Sequence, residues 1–291
     1  MDWRDKMNSA MNYIEANLMD KIDYRQVAQE ACCSVYHFQR MFSFITDVPL
    51  SEYIRRRRLT LAAFELQSSD IKIIDIAAKC GYESPESFSR AFKKLHGIMP
   101  MEARSKNIML KAYPRMSFQI SFVGNMEVNY RIVQKEAYEV CGITMDVRLA
   151  GEQTNSIITQ FWNTNLENGT IGKFHKDIGL DNNICFNTAL YNHRNNVFSY
   201  MICYNTPNSG VPAGYSVLSV PSFMWAVFST PEHIAEQTTE LIKSVRKRIF
   251  LEWFPTSGYI HGGGPEFEIF NNKNNTFIVE IWIPIRKRKT L

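Results

Sequence analysis

What the sequence lacks narrows its reading first. No apolar run approaches the roughly 20 residues that a membrane-spanning helix needs, so no membrane span is expected. The opening stretch MDWRDKMNSA carries acids and lacks the apolar centre of a secretory signal, which points to the cytoplasm. Six cysteines fall at 32, 33, 80, 141, 185 and 203 without a single Cys-x-x-Cys pair, and no histidine joins them at zinc-finger spacing. Neither a metal nor another cofactor is therefore expected, and reduced, mostly buried thiols are the simplest reading. The adjacent Cys32 and Cys33 could sense oxidants, but neighbouring cysteines rarely bridge. No Ser/His/Asp or Cys/His constellation stands out, so the chain is not expected to be an enzyme. Charge of one sign is also scarce, at a net +4. Its placement says more than its size: 16 Lys/Arg face 14 Asp/Glu in residues 1–106, two more bases follow in 107–124, and the remainder balances at 15 against 15. The whole excess lies in the first 124 residues.

What is present suits a soluble chain of two domains, with 291 residues of which 45% are hydrophobic and 21% charged. The first hundred residues contain a repeat. Ser34-Val-Tyr-His-Phe38-Gln-Arg40-Met-Phe42 returns fifty residues later as Ser84-Pro-Glu-Ser-Phe88-Ser-Arg90-Ala-Phe92. Each copy follows a short helical segment, Val27–Ala31 or Ile76–Cys80, and a few turn residues. Ser34 and Ser84 stand where an N-cap accepts a backbone N–H, and Pro85 fits a first helical position. With Phe38/Phe42 and Phe88/Phe92 turned inward at i and i+4, Gln39, Arg40, Ser89 and Arg90 are expected on the outer face. Tyr36, His37, Glu86 and Ser87 fall near the same edge. Long donors such as Gln and Arg can reach base edges in a major groove. One such unit alone would equally suit a helical domain with Arg40 and Arg90 in surface salt bridges; two matching copies favour a DNA reader.

Between the copies, Leu50–Ser68 keeps apolar residues at three- and four-residue steps and contains neither Gly nor Pro, as a continuous helix requires. Nineteen residues give roughly 28 Å of helix, near the ~34 Å between successive major-groove faces of B-DNA. One chain could thus place both recognition helices without dimerising. Arg55 to Arg58 lie on this helix, and a solvated or core-bridging role fits them at least as well as phosphate contact.

These stretches carry a resemblance. Residues 5–105 are similar to the DNA-binding domain of AraC-type regulators, of the MarA, SoxS and Rob group. The matching segments are Val27-Ala28, His37–Phe42, Tyr53–Arg55, Arg58-Leu59, Asp75–Ala77, Gly81-Tyr82, Phe88–Lys94 and Pro100. The resemblance implies a seven-helix reader that binds double-stranded DNA as a monomer, with contacts from Tyr36, Gln39, Arg40, Glu86, Ser89 and Arg90. It also implies RNA polymerase as a partner. Two departures stand out. Cys32 occupies a turn position that is often Gly, which predicts a strained or differently built turn. Glu86 would repel phosphate but could accept from a cytosine amino group.

Residues 107–124 read as a linker with some strand. Beyond Asn125 the pattern is α+β: strands over 128–133 and 137–146, a helix over 155–166, strands over 184–192 and 197–204, strands over 215–220 and 223–228, a helix over 231–253 with a basic Lys243–Arg248 face, and a closing hairpin of 266–270 and 276–283. Val133–Val140 aligns with Val220–Val227 at an offset of 87, setting Tyr138 against Trp225. The fold class expected is an all-helical double helix-turn-helix domain (1–106) followed by an α+β domain (125–291) of two ββαββ-type halves with a cleft at their seam.

In the last strand, alternation sets Phe277, Val279, Ile281 and Ile283 on one face and Thr276, Ile278, Glu280 and Trp282 on the other. A carboxylate beside an indole, with Tyr191, Tyr215 and Trp225 elsewhere in the same region, suits a lipophilic ligand with a donor or cationic group. From pattern alone, Glu280 facing water with the aromatics as ordinary core fits equally well. Gly263–Phe270 and Val279–Pro284 resemble the closing segments of GyrI-like effector-binding domains. That resemblance implies Glu280 as the ligand-site acid and bulky, apolar, often cationic ligands; alternation and composition add Trp282, Tyr191, Tyr215 and Trp225 as further expected effector contacts. Together these readings predict a sequence-specific transcription regulator, an activator by family, that answers to a small lipophilic effector. The alternative is a GyrI-like hydrolase of small electrophiles with Glu280 as general base, tethered to a DNA-binding domain.

Overall fold

The computed structural model describes residues 3–105, 108–118, 129–148, 153–180, 187–194, 197–273 and 276–288. The chain divides into two compact units, Met1–Phe38 with Leu50–Ser121, and Gln39–Pro49 with Phe122–Leu291.

The first unit is helical. It holds α1 (Trp3–Ala16), α2 (Tyr24–Glu30), the start of α3 (Val35–Thr46), α4 (Leu50–Ser68), α5 (Ile73–Lys79) and α6 (Pro85–His96). The repeat is structural. Ser34 Oγ accepts from His37 N at 3.1 Å, and Ser84 Oγ accepts from Ser87 N at 3.2 Å, so each second helix starts on its expected cap. The turns before them match as well. Cys33 N donates to Ala28 O and Tyr82 N to Ala77 O, both at 3.0 Å, while Cys32 and Gly81 take φ of 52° and 79°. Cys32 thus adopts the left-handed conformation that Gly81 adopts without steric cost, which is the strain its position predicted. Phe88 and Phe92 are fully buried with Leu59, Ala62, Leu66 and Ile76.

The arginines of α4 mostly brace the unit. Arg57 pairs with Glu15 at 2.7 Å, and Arg58 donates to the carbonyls of Leu18 at 2.5 Å, Asp20 at 2.7 Å and Cys80 at 3.2 Å. Arg55 and Arg56 pair with Glu52 on their own helix. The described part of the expected linker is not free. Tyr113 N donates to Thr60 Oγ1, Met116 N donates to Tyr53 Oη, and Phe118 exchanges backbone hydrogen bonds with the Asn8 amide while its ring meets Trp3 edge-on.

The second unit is built on a nine-stranded sheet. Its strands are β1 (Tyr130–Lys135), β2 (Tyr138–Arg148), β3 (Asn187–Arg194), β4 (Val197–Asn205), β5 (Ser216–Val220), β6 (Phe223–Ser229), β7 (Tyr259–His261), β8 (Glu266–Lys273) and β9 (Thr276–Lys287). The order is β1-β6-β9-β8-β3-β4-β2-β5, with β7 added alongside β9. Exchanging β1, β2, β3 and β4 for β5, β6, β8 and β9 reverses this order onto itself, so the offset-87 repeat is a two-fold arrangement in which each half lends an edge strand to the other. The helices are α7 (Gln153–Glu167), α8 (Thr170–Asp177) and α9 (Thr238–Arg248), the last continued by a π-helical turn over Ile249–Trp253.

The sequence expectation differs in three places. Helix α8 was not foreseen: it is short, starts behind a left-handed Gly169 and carries Gly172. The second-half helix begins at Thr238 rather than Pro231, because His233 exchanges backbone hydrogen bonds with Phe277 and holds that segment extended. Short β7 was also unforeseen. The expected strand start at 184–186 and the turns at 195–196 and 274–275 lie outside the described residues.

One sheet face packs on α7 and α8 through Val147, Phe198, Tyr200 and Ile202 with Phe161 and Ile171, and through Cys141 and Tyr204 with Phe174. The other face carries a cluster drawn from strands alone: Val140, Ala189, Met201, Cys203, Val220, Trp225, Val227 and Phe267, flanked by Tyr138, Tyr191, Phe223 and Trp282.

Candidate DNA-binding and effector sites

The two helices that carry the expected DNA contacts present different faces. On α6, Phe88, Phe92 and Leu95 point inward, leaving Glu86 and Arg90 exposed and Ser89 half-buried. Lys93 and Lys94 add exposed positive charge in its last turns. On α3, Tyr36 and Gln39 are half-buried, but His37 and Arg40 are buried, at 8% and 4% exposure. Arg40 was expected outside. Instead its Nη2 lies 2.6 Å from Glu266 Oε2 within the second unit, to which residues 39–49 belong.

Glu266 is the centre of a buried ionic cluster. It is fully buried, pairs with Arg246 as well as Arg40, and has His261 Nε2 at 3.2 Å. Arg246 also donates to Glu268 at 2.8 and 3.0 Å. The guanidinium carbons of Arg40 and Arg246 stand 5.2 and 5.3 Å from the Phe44 ring centre, and Phe44 stacks on Phe250. Burial alone would raise the Glu266 pKa, but Arg40, Arg246 and His261 outweigh it and hold the carboxyl well below the usual range. Arg246 was expected on a basic helix face and is 1% exposed. The overlooked signal is Glu266 and Glu268 at i and i+2 on either side of Phe267 at the start of β8, two carboxylates aimed to one side.

The strand-only cluster gathers four of the five expected effector residues. Registers Val227↔Trp282, Trp225↔Pro284 and Phe267↔Trp282 set Trp225, Phe267, Glu280 and Trp282 on one face. Trp225 meets Phe267 at 5.7 Å and Trp282 at 6.0 Å between ring centres, and Tyr138 meets Phe267 at 6.1 Å. Tyr191 flanks the same cluster, its hydroxyl 3.1 Å from Thr144 Oγ1. Tyr215 is the exception: it packs 4.6 Å from Phe174 on the helical face and donates to Asp177. It lies just before β5, and its side chain takes the face opposite to Leu218 and Val220.

Polar groups ring this face. Arg131 Nη2 lies 2.8 Å from both Glu280 oxygens, and Trp282 Nε1 donates to Glu280 at 3.0 Å. Lys135 Nζ sits 3.8 Å from the Tyr138 ring centre, and burial lowers its pKa. Trp225 is fully buried, and among the described residues its Nε1–H has no hydrogen-bond acceptor. Sequence reasoning missed Arg131, Lys135 and Tyr138, although the alternation of β1 opposite β6 would have found the first two.

Among the described residues, no group of three His, Cys, Asp or Glu is placed to hold a metal ion. The five described cysteines are unbridged, and burial pushes the Cys33 and Cys80 thiols up to about 12, away from reactivity. No helix among the described residues is long and apolar enough to cross a membrane.

With the geometry in place, comparison with known proteins is informative. The family profile described as integron-associated effector binding protein matches residues 131–285, more than half of the chain. The chain belongs to that family. Ahead of the effector-binding region, a helix-turn-helix domain profile matches residues 27–106. The HTH-type transcriptional activator AarP of Providencia stuartii is 43% identical over 88 residues, covering 30% of this chain and 65% of that protein. The regulatory protein SoxS of Salmonella typhimurium is 34% identical over 106 residues, covering 36% of this chain and 99% of SoxS. Among solved structures, SAV2435 bound to tetraphenylphosphonium is 21% identical with a TM-score of 0.45, covering 54% of this chain and 94% of that one. A putative transcription regulation protein from Staphylococcus aureus MU50 is 20% identical with a TM-score of 0.44, covering 55% and 99%. The chain thus carries a helix-turn-helix domain of the AraC type ahead of an effector-binding domain.

Proposed function

We propose that the chain is a one-component activator whose effector-binding sheet face takes a lipophilic small molecule and thereby changes how its helix-turn-helix units hold promoter DNA for RNA polymerase. The observation that carries this reading is the strand-only aromatic cluster, in which a fully buried Trp225 keeps an indole N–H without an acceptor among the described residues. A buried donor is normally satisfied, and one left open beside aromatic rings suits a ligand that supplies the acceptor. Exposed Arg90 and Glu86 with Ser89 on α6 support base and phosphate contact, joined by Tyr36 and Gln39 on α3. Arg40 contributes only after parting from Glu266. A ligand alters DNA binding to the extent that it prefers one arrangement of the chain over another. Monomeric binding is part of the proposal, since one chain carries both helix-turn-helix units.

The hydrolase alternative fits less well. Both Glu280 oxygens are engaged by Arg131 and one also by Trp282, so this carboxylate does not stand free as a general base. The test follows anisotropy of a labelled preferred duplex while lipophilic aromatic compounds are titrated into the full chain. A compound that quenches tryptophan emission should also shift DNA affinity, and Trp225→Ala should lose both effects. Compounds that bind and leave DNA affinity and transcription unchanged would refute the proposal.

A further inference from the structure

We infer that the effector face selects an aromatic ligand bearing an acidic group, with its ring against Trp282 and Tyr138 and its anion on the Lys135 ammonium. This rests on the ligand-binding reading above and adds the charge class of the ligand.

The expected acid of the site is already satisfied. Arg131 reaches both Glu280 oxygens at 2.8 Å, and the Trp282 indole donates to the same carboxylate at 3.0 Å. An entering cation would have to displace a guanidinium that the chain itself holds in place, against a high effective concentration. The ring such a cation would seek is also occupied. The Arg131 guanidinium carbon and Lys135 Nζ each lie 5.7 Å from the Trp282 ring centre, and a third positive charge there meets two like charges.

Unused capacity on this face is donor capacity. Lys135 is half-buried, and among the described residues no carboxylate pairs with it; Glu136, next in the chain, is exposed and makes no ion pair with it. Burial disfavours an ammonium until an anion joins it, and the lowered Lys135 pKa expresses that cost. The remaining carboxylate on this face, Asp146, accepts from Ser199 and lies eight residues along β2 from Tyr138, roughly 26 Å of strand. A ring with an anionic edge meets aromatic walls and an ammonium together.

The full chain is titrated calorimetrically with naphthoate, with uncharged naphthamide and with tetraphenylphosphonium. Naphthoate should bind about tenfold tighter than naphthamide, the scale of one charge-assisted hydrogen bond. Lys135→Met should shrink that difference to less than about twofold at an unchanged thermal midpoint. If tetraphenylphosphonium binds as tightly as naphthoate, the acid preference is overturned while the lipophilic-ligand reading stands. Equal binding of naphthoate and naphthamide, or a preference that survives in Lys135→Met, also overturns it. If none of the three binds, both readings fall.

Discussion

Replacing Glu266 by alanine should destabilise the second unit more than any other single charge removal in it. The carboxylate is fully buried and faces Arg40, Arg246 and His261, with Arg40 and Arg246 themselves 4% and 1% exposed. Removing one partner of a buried pair leaves an uncompensated charge and typically costs about 3–5 kcal/mol. The lower end applies here, because Glu268 still accepts from Arg246 at 2.8 Å. A loss of about 3 kcal/mol corresponds to a fall of roughly 6–12 °C in the midpoint of a unit of this size. Four of the five tryptophans, at 162, 225, 253 and 282, lie in the second unit, so tryptophan emission during urea unfolding reports chiefly on it. Released from Glu266, Arg40 should also become accessible on α3. A Glu266→Ala protein that loses less than about 1 kcal/mol would show that the cluster does not hold this unit together.

Acid should reveal the same cluster. Because the folded Glu266 carboxyl is held well below its usual pKa, its contribution is complete above the unfolded value of about 4.3 and is lost as pH falls below that toward the folded value. The stability gap between wild type and Glu266→Gln should thus hold constant from neutrality to about pH 5 and narrow only below it; narrowing near pH 6 in urea titrations would contradict this. Cys32→Gly should stabilise the helical unit by up to about 1 kcal/mol, since the left-handed backbone at Cys32 penalises a side chain; an unchanged or lower thermal midpoint would count against strain. Gly142→Ala should cost about 3 kcal/mol or more, because a Cβ there would overlap the Ile202 carbonyl oxygen and press on Cys203 Cα across β2 and β4; wild-type urea stability would refute the close approach.

Local physics made part of this structure readable from the residues. Ser34 and Ser84 cap helices because their side chains answer open backbone N–H groups, and that requirement is local. The alternation of β9 placed Val279, Ile281 and Ile283 inward and Glu280 with Trp282 on the other face, because a strand has only two sides. What the pattern could not supply was the partner. Helical periodicity put Arg40 and Arg246 on outer faces, and both are buried because carboxylates from a distant strand meet them. Tyr215 was assigned by composition rather than by register, and it packs on the wrong face for the aromatic cluster. Arg131 on Glu280 joins residues 149 apart, a pairing that only the β1-β6-β9 order brings about.

The most direct measurement is a selection of the full chain against random duplex DNA at moderate salt. Recovery of a preferred sequence, with Arg90→Ala binding it about tenfold or more weakly at unchanged thermal stability, is the predicted result. Failure to enrich any sequence, or equal binding by Arg90→Ala, would contradict the assignment of α6 as a base-reading helix.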